Sequence, residues 1–429
     1  MNDTINHAIN DTIIKVSRNT DIAPQNLLST QTVAFSHYNY ISAQLPVNIT
    51  TGELVANDIK VQAAQCLKNI KTIVESIDHD MNDVIKINIF LKDIADIKEI
   101  DTIYPAFFQG YLPTRTVIAV AALPMENALV QMDAVISNGE GTYPQAPVEL
   151  VKVPKNNEQV PKDSVSPHTI AFSHYNNISA QLPVDIETGE LVAGGVKEQT
   201  QQCLQNIEAI LESIDVPLHE IVKVNIFLKN LADVDTVNDV YKEFFPESTS
   251  DGSAAYLPAL TMVIASDLQL DALVQIDAIV SHGNGTPPQA TEDKHGITIK
   301  ANNTDKAPKN PLSTQTVAFS HYNHLSGQLP INPETDKLID GDIKAQTKQC
   351  LENIKAIVES IDHVMDDVVK MTIQLTDITD IDVVNDIYKT FFNSDLPART
   401  VIGVAAIPMD ALIQIDTVVS NAEGTPLAS

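Results

Sequence analysis

The chain has 429 residues, more than one hydrophobic core ordinarily serves, so two to four domains are expected. Its apolar content of 44% is that of a globular protein, and its longest apolar runs are strand-length, too short to cross a bilayer. A net charge of −29 repels nucleic-acid phosphates and anionic lipid, so neither nucleic acid nor membrane is expected as a partner.

Residues 1–10 lack the charged start and apolar centre of a secretory signal. The three cysteines, Cys66, Cys203 and Cys350, form no close pairs and fit a reducing compartment, so a cytoplasmic location is expected. Each lies 24 residues after the serine of a Ser-Ala/Gly-Gln-Leu-Pro motif, at Ser42, Ser179 and Ser326. They are one structural position seen three times, a small core residue on a predicted helix.

Internal repetition governs the rest. Ala-Phe-Ser-His-Tyr-Asn begins at Ala34, Ala171 and Ala318. A second motif, Leu-Pro-Thr-Arg-Thr-Val-Ile-Ala from Leu112, returns as Leu-Pro-Ala-Leu-Thr-Met-Val-Ile from Leu257 and Leu-Pro-Ala-Arg-Thr-Val-Ile-Gly from Leu396. Two copies therefore carry an arginine, Arg115 and Arg399, where the middle copy has Leu260. The serine-to-arginine interval is 73 residues in the first and third copies and 81 from Ser179 to Leu260, the excess lying around 246–255. A period of about 140 residues is domain-sized, and predicts domains over 1–144, 145–291 and 292–429. Linkers rich in Gly, Pro, Gln and Thr are expected near 138–147 and 283–293.

In chain order each copy opens with a short strand, expected over 12–16, 148–153 and 297–300, and a polar loop. Strands near 32–35 and 40–44 follow, with Ser-His-Tyr-Asn as their turn. Ile59, Ala63, Cys66, Leu67, Ile70, Val74 and Ile77 recur at helical spacing, and Asp58 is placed to cap that helix. The next strand alternates, with Ile85, Ile87, Ile89 and Leu91 facing one way and Lys86 and Asn88 the other. A second helix is expected over 96–108, then the arginine strand and a last strand over 128–137. The order β-β-β-α-β-α-β-β describes an α+β domain, a mixed sheet with both helices on one face. Its other face needs cover, which three sheets closing about a pseudo-threefold axis, helices outward, would provide.

These motifs, with Ile-Ser-Ala-Gln-Leu-Pro at 41–46 and 178–183, Leu-Ser-Gly-Gln-Leu-Pro at 325–330 and Pro-Ala-Arg-Thr-Val at 397–401, resemble the RidA family, also called YjgF/YER057c/UK114. The resemblance spans nearly the whole chain, three times. It implies chorismate-mutase-like domains and a homotrimer-like assembly written as one polypeptide, a single chain acting as a pseudo-trimer. It also implies hydrolysis of 2-iminobutanoate or 2-iminopropanoate, reactive imine/enamine intermediates, to a 2-keto acid and ammonia in interdomain clefts, with no cofactor and no metal. By motif match Arg115 and Arg399 would hold the substrate carboxylate, and Ser42, Ser179 and Ser326 match the family's serine. A guanidinium fork suits that task because it can hold a carboxylate bidentately.

The family's water-positioning glutamate matches Gln131, Gln275 and Gln414. Gln131 and Gln414, in the copies that keep arginine, are the expected catalytic positions. Glutamine can hold a water but cannot take its proton. Each precedes an aspartate by two residues, Asp133, Asp277 and Asp416, so a polar interface ladder is the competing reading. The family's Gly-Pro-Tyr tyrosine falls at Ser29, Ser166 and Ser313. His37, His174 and His321 would be symmetric about the axis but sit in a predicted turn, where packing is the simpler role. Beside the deaminase stand two alternatives: a non-catalytic binder of small carboxylates, and the endoribonuclease or translation-inhibitor activity of some family members, which the charge opposes.

Overall fold

The computed structural model describes residues 12–139, 141–145, 150–245, 255–282, 285–287 and 297–426. Residues 246–254 of the insertion lie outside the described residues, as do 140 and 146–147 of the first linker, 283–284 and 288–293 of the second, and 148–149 of the expected second opening strand. Three six-stranded sheets are present, each built in the same strand order. In the first, Val16–Arg18 pairs with Thr32–Phe35, then Tyr38–Gln44, Val130–Ser137, Val84–Leu91 and Thr114–Ala119 follow across the sheet. Only the last pair is parallel, since a helical crossover separates its strands.

The first helix, Ile59–Glu75, buries Cys66, Leu67, Ile70 and Val74 against the sheet, and the Asp58 carboxylate caps it by accepting from the Val61 N–H. The second departs from the expected single helix over 96–108. It runs Ile97–Asp101 and resumes as a 3-10 turn over Tyr104–Phe107, because Pro105 has no N–H to continue the ladder. The second domain lacks that proline, and Val234–Phe244 is unbroken. The opening strands lie a few residues later than expected, at Val16–Arg18, Val153–Lys155 and Lys300–Asn302, where they pair with Thr32–Phe35 and its counterparts.

One alternation is corrected. Ile87, Ile89 and Leu91 do face the helices, but Ile85 does not. A β-bulge between Val84 and Lys86 turns Ile85 inward to a cluster shared by all three domains. That cluster holds Phe35, Phe172 and Phe319 with Tyr38, Tyr175 and Tyr322. The three tyrosines stack edge-to-face, and each donates its hydroxyl to the phenylalanine carbonyl of the next domain in cyclic order. The repeated Phe-Ser-His-Tyr motif is thus a joint between domains. A second shared cluster contains Ile118, Val263 and Ile402.

Between the two clusters, at the centre of the ring, lie buried ion pairs. Lys86 bonds Asp277 at 2.7 Å, Lys370 bonds Asp133 at 3.0 Å, and Lys223 bonds Asp416. Each pair crosses from one domain to the next, and each carboxylate also accepts from a threonine hydroxyl: Thr116, Thr400 or Thr261. Removing one partner leaves the other charge buried, so Asp277→Ala should cost about 3–5 kcal/mol, read as a fall in the urea midpoint.

The Ser-His-Tyr turns place His37, His174 and His321 near one another, half-hidden at the joint. Burial, and then His321, lower the His37 pKa to about 4; burial, His321 and His37 do the same to His174. Among the described residues no three His, Cys, Asp or Glu side chains are placed to hold a metal. Because these pKa values lie below the ordinary 6.5, the unfolded chain binds more protons between pH 6.5 and 4. Stability is therefore complete above pH 6.5 and falls toward pH 4. A His37→Gln/His174→Gln variant should flatten that part of a Tm-against-pH curve, and an unchanged slope would contradict the assignment.

Candidate functional site

Each domain's arginine strand ends against its neighbour, and the contacts close a ring. Ala119 bridges to Asp267, Ile264 to Ala406 and Ala122 to Gly403, one bridge for each pair of domains. Beside each bridge is a cleft. The first joins Arg115 to Ser179, the second Leu260 to Ser326, and the third Arg399 to Ser42.

The serines do the same thing in all three. Ser42 Oγ donates to the Thr30 carbonyl at 2.5 Å and accepts from the Arg399 backbone N–H at 2.8 Å. Ser179 and Ser326 repeat this with Pro167 and Arg115, and with Thr314 and Leu260. The hydroxyl proton is already committed, so toward a ligand each serine can only accept. Their position also serves the cleft that has no arginine, which marks them as staples between domains. Replacing any of the three with alanine leaves buried groups unpaired and should cost about 1–3 kcal/mol in denaturant melts. The Ser326→Ala loss should match the others; a negligible loss there would tie the serines to the arginines instead.

The glutamines reach across the junctions in the same cyclic order. Gln275 donates to the Val117 carbonyl and so belongs with Arg115 of the preceding domain. Gln414 donates to the Met262 carbonyl at 2.8 Å and to Gln374, in the cleft that carries Leu260. By the same order Gln131 belongs with Arg399. Gln414 therefore shares no cleft with an arginine, because each cleft combines a strand from one domain with the last strand of the next. Oε1 of Gln131 and of Gln275 is buried, with no hydrogen-bond partner among the described residues. The aspartates two residues on are the lysine partners of the central ring, which is the interface-ladder reading.

The two arginines differ sharply in surroundings. Both are 4% exposed and lie over a tyrosine ring, Arg115 at 5.4 Å from Tyr104 and Arg399 at 4.9 Å from Tyr388. Arg115 is held by two carboxylates: Nη1 by Asp101, and Nη2 by Asp163 of the second domain at 3.1 Å. Burial alone would lower its pKa, but Asp163 and Asp101 raise it above the ordinary value. Arg399 Nη1 bonds the amide oxygen of Asn385 at 2.8 Å, and among the described residues no carboxylate pairs with it. Burial lowers its pKa, opposed only by Tyr388. Sequence reading missed Asp101, Asp163 and Asn385; the signal was a difference between copies, Asp against Asn, 14 residues before each arginine.

The Arg115 cleft is open, about 510 Å³, and lined by Arg115, Asp163, Ser179, Gln181 and Gln275 among others. The Leu260 junction carries a further backbone bond. Leu260 packs into the apolar core of its domain and its carbonyl accepts from Gly327 N–H at 3.0 Å. Glycine permits that approach, since a Cβ there would come 3.0 Å from Thr261 and 3.2 Å from Gln414.

Three α+β domains contact one another in a ring, with Arg115, Leu260 and Arg399 each at a junction. A family model described as Endoribonuclease L-PSP matches the chain three times, over residues 20–137, 166–282 and 304–421. A RutC family protein of Pyrococcus abyssi is 41% identical over 117 residues, covering 27% of this chain and 91% of the relative. A 2-iminobutanoate/2-iminopropanoate deaminase of Dermatophagoides farinae is 38% identical over 112 residues, covering 26% of this chain and 87% of the relative. The solved structure of RidA from a Psychrobacter species is 37% identical, with 28% of this chain and 98% of that chain covered and a TM-score of 0.28. This chain belongs to the Endoribonuclease L-PSP family, that of the RidA and RutC proteins, with three tandem copies in one polypeptide.

Proposed function

We propose that this protein binds a small 2-imino or 2-keto carboxylate in an interdomain cleft and hydrolyses the imine to the 2-keto acid and ammonia. One observation carries the reading: Arg399 is a buried guanidinium with hydrogen-bonding capacity left over and, among the described residues, no carboxylate to neutralise it. Such a group favours an anionic ligand, and a fork of N–H donors suits a carboxylate. The deaminase name of the Dermatophagoides farinae relative supports the same chemistry.

Arg399 would orient the carboxylate, with Ser42 fixing the backbone of that residue and Gln131 Oε1 accepting a hydrogen bond from the attacking water. The water oxygen forms the new C–O bond, the C–N bond breaks, and both water protons leave on nitrogen as ammonia. Glutamine orients but does not take a proton, so the rate rests on positioning and on the imine's own reactivity. Of the other expected site residues, Arg115 and Ser179 belong to the first cleft, and Ser326 and Gln414 to the second. The glutamines also favour a second reading, a carboxylate binder without turnover. An activity on RNA is opposed by the net charge of −29. We further take one chain, in the cytoplasm, to be the whole assembly; sedimentation at the mass of three chains would contradict that.

The test is ammonia or keto-acid release from freshly generated 2-iminopropanoate. Wild type should exceed buffer, and Arg399→Ala should lower kcat/KM roughly 10- to 100-fold, the worth of a charge-assisted hydrogen bond or two. Gln131→Glu, which supplies a base, should raise kcat by roughly 100-fold. A wild-type rate equal to buffer, with 2-ketobutyrate still bound, would leave only the binder.

A further inference from the structure

The three clefts share one scaffold and carry three different charges. Around Arg115 stand Asp101 from its own domain and Asp163 from the next. Asp101 has its counterpart in Asn385, which bonds Arg399, and in Asn238 of the second domain. Asp163 has its counterparts in Asn26 and Asn310, three residues before Ser29 and Ser313 as Asp163 is before Ser166. The local geometry confirms the match. Asp163 Oδ1 accepts from the N–H two residues on at 3.0 Å, and Asn26 and Asn310 Oδ1 each do so at 2.9 Å. By this correspondence Asn26 presents an amide at the position where Asp163 presents a carboxylate. With one cation and two carboxylates, the first cleft is formally −1 at its anchor; with one cation and two amides, the third is +1; the second has neither charge.

Asp163 is also locked in place. Its Oδ2 accepts from Arg115 Nη2 and from Ser166 Oγ, both at 3.1 Å, while Oδ1 is held by the Val165 N–H. A ligand carboxylate entering this cleft must displace it and then sit beside two like charges.

We propose that Asp101 and Asp163 are specificity residues that close the Arg115 cleft to carboxylates, so that each chain holds one anion site, at Arg399. This deepens the function proposed above and rests on its carboxylate reading. The protein's own carboxylate stands at the first anchor in the role that a ligand takes at the third. Asn26 adds a second donor beside Arg399 where Asp163 would repel, so the same two positions both exclude at one cleft and recruit at the other.

Calorimetric titration with 2-ketobutyrate, which carries the carboxylate but no imine to hydrolyse, counts the sites. Wild type should bind one equivalent and Arg399→Ala none. Asp101→Asn/Asp163→Asn, nearly isosteric, should gain a second site. Asn26→Asp/Asn385→Asp should weaken the Arg399 site roughly 100-fold while Arg399 remains, since like charges beside the guanidinium repel the ligand carboxylate. Two equal sites in wild type, or one site that Arg115→Ala removes and Arg399→Ala spares, would overturn this inference alone. No binding in wild type would overturn the carboxylate reading and the inference with it. An Asp101→Asn/Asp163→Asn variant that melts like wild type yet binds one equivalent would also overturn it.

Discussion

The ring of buried lysine–aspartate pairs is the constraint from which the rest follows. Lys86, Lys223 and Lys370 each reach across a domain boundary to Asp277, Asp416 and Asp133, and a threonine hydroxyl completes each carboxylate. An ion pair of this kind contributes modest net stability but penalises wrong arrangements heavily, because a slipped domain strands a charge in a dry interior. It therefore sets register: the aspartate lies two residues beyond the cleft glutamine on one strand face, so fixing one fixes the other. The tyrosine–carbonyl ring at one end and the aliphatic cluster at the other supply the apolar burial shared between domains.

Much of this was legible because it was written three times. The element order, the helix cap at Asp58, the cysteine position and the arginine strand all follow from periodicity and repeated motifs. Features that break local periodicity were not legible. The bulge at Ile85 looks like ordinary alternation until the partner strand is known, and Pro105 interrupts a helix whose apolar spacing continues past it. Nor does a linear sequence say which domain follows which around the ring. The sequence therefore leaves the partner of each arginine open, and the structure sets Gln414 against Met262, in the cleft with Leu260. Asp101 and Asp163 were overlooked for a related reason: repeats draw attention to likeness, and the chemistry here lies in two Asp-for-Asn differences.

Fusion is what makes such differences possible. Three identical subunits would place the same residues in every cleft, whereas one chain can replace the second anchor with Leu260. It can neutralise the first anchor with its own carboxylates and give the third, among the described residues, an amide partner and no carboxylate. Shared scaffolding is preserved throughout, since the serine staples and the central pairs recur in all three junctions regardless of what the anchor residue is. Structure and site are thus separable in this protein.

The chain contains three arginines, Arg18, Arg115 and Arg399, and Arg18 is exposed on an edge strand, so guanidinium resonances can be assigned by single substitutions. The most direct test is side-chain nitrogen NMR of these three groups during titration with 2-ketobutyrate. A shift confined to Arg399, with Arg115 and Arg18 unmoved, is the predicted result. An equal shift at Arg115 would contradict the account, since it would mean that Asp101 and Asp163 yield their arginine to a ligand.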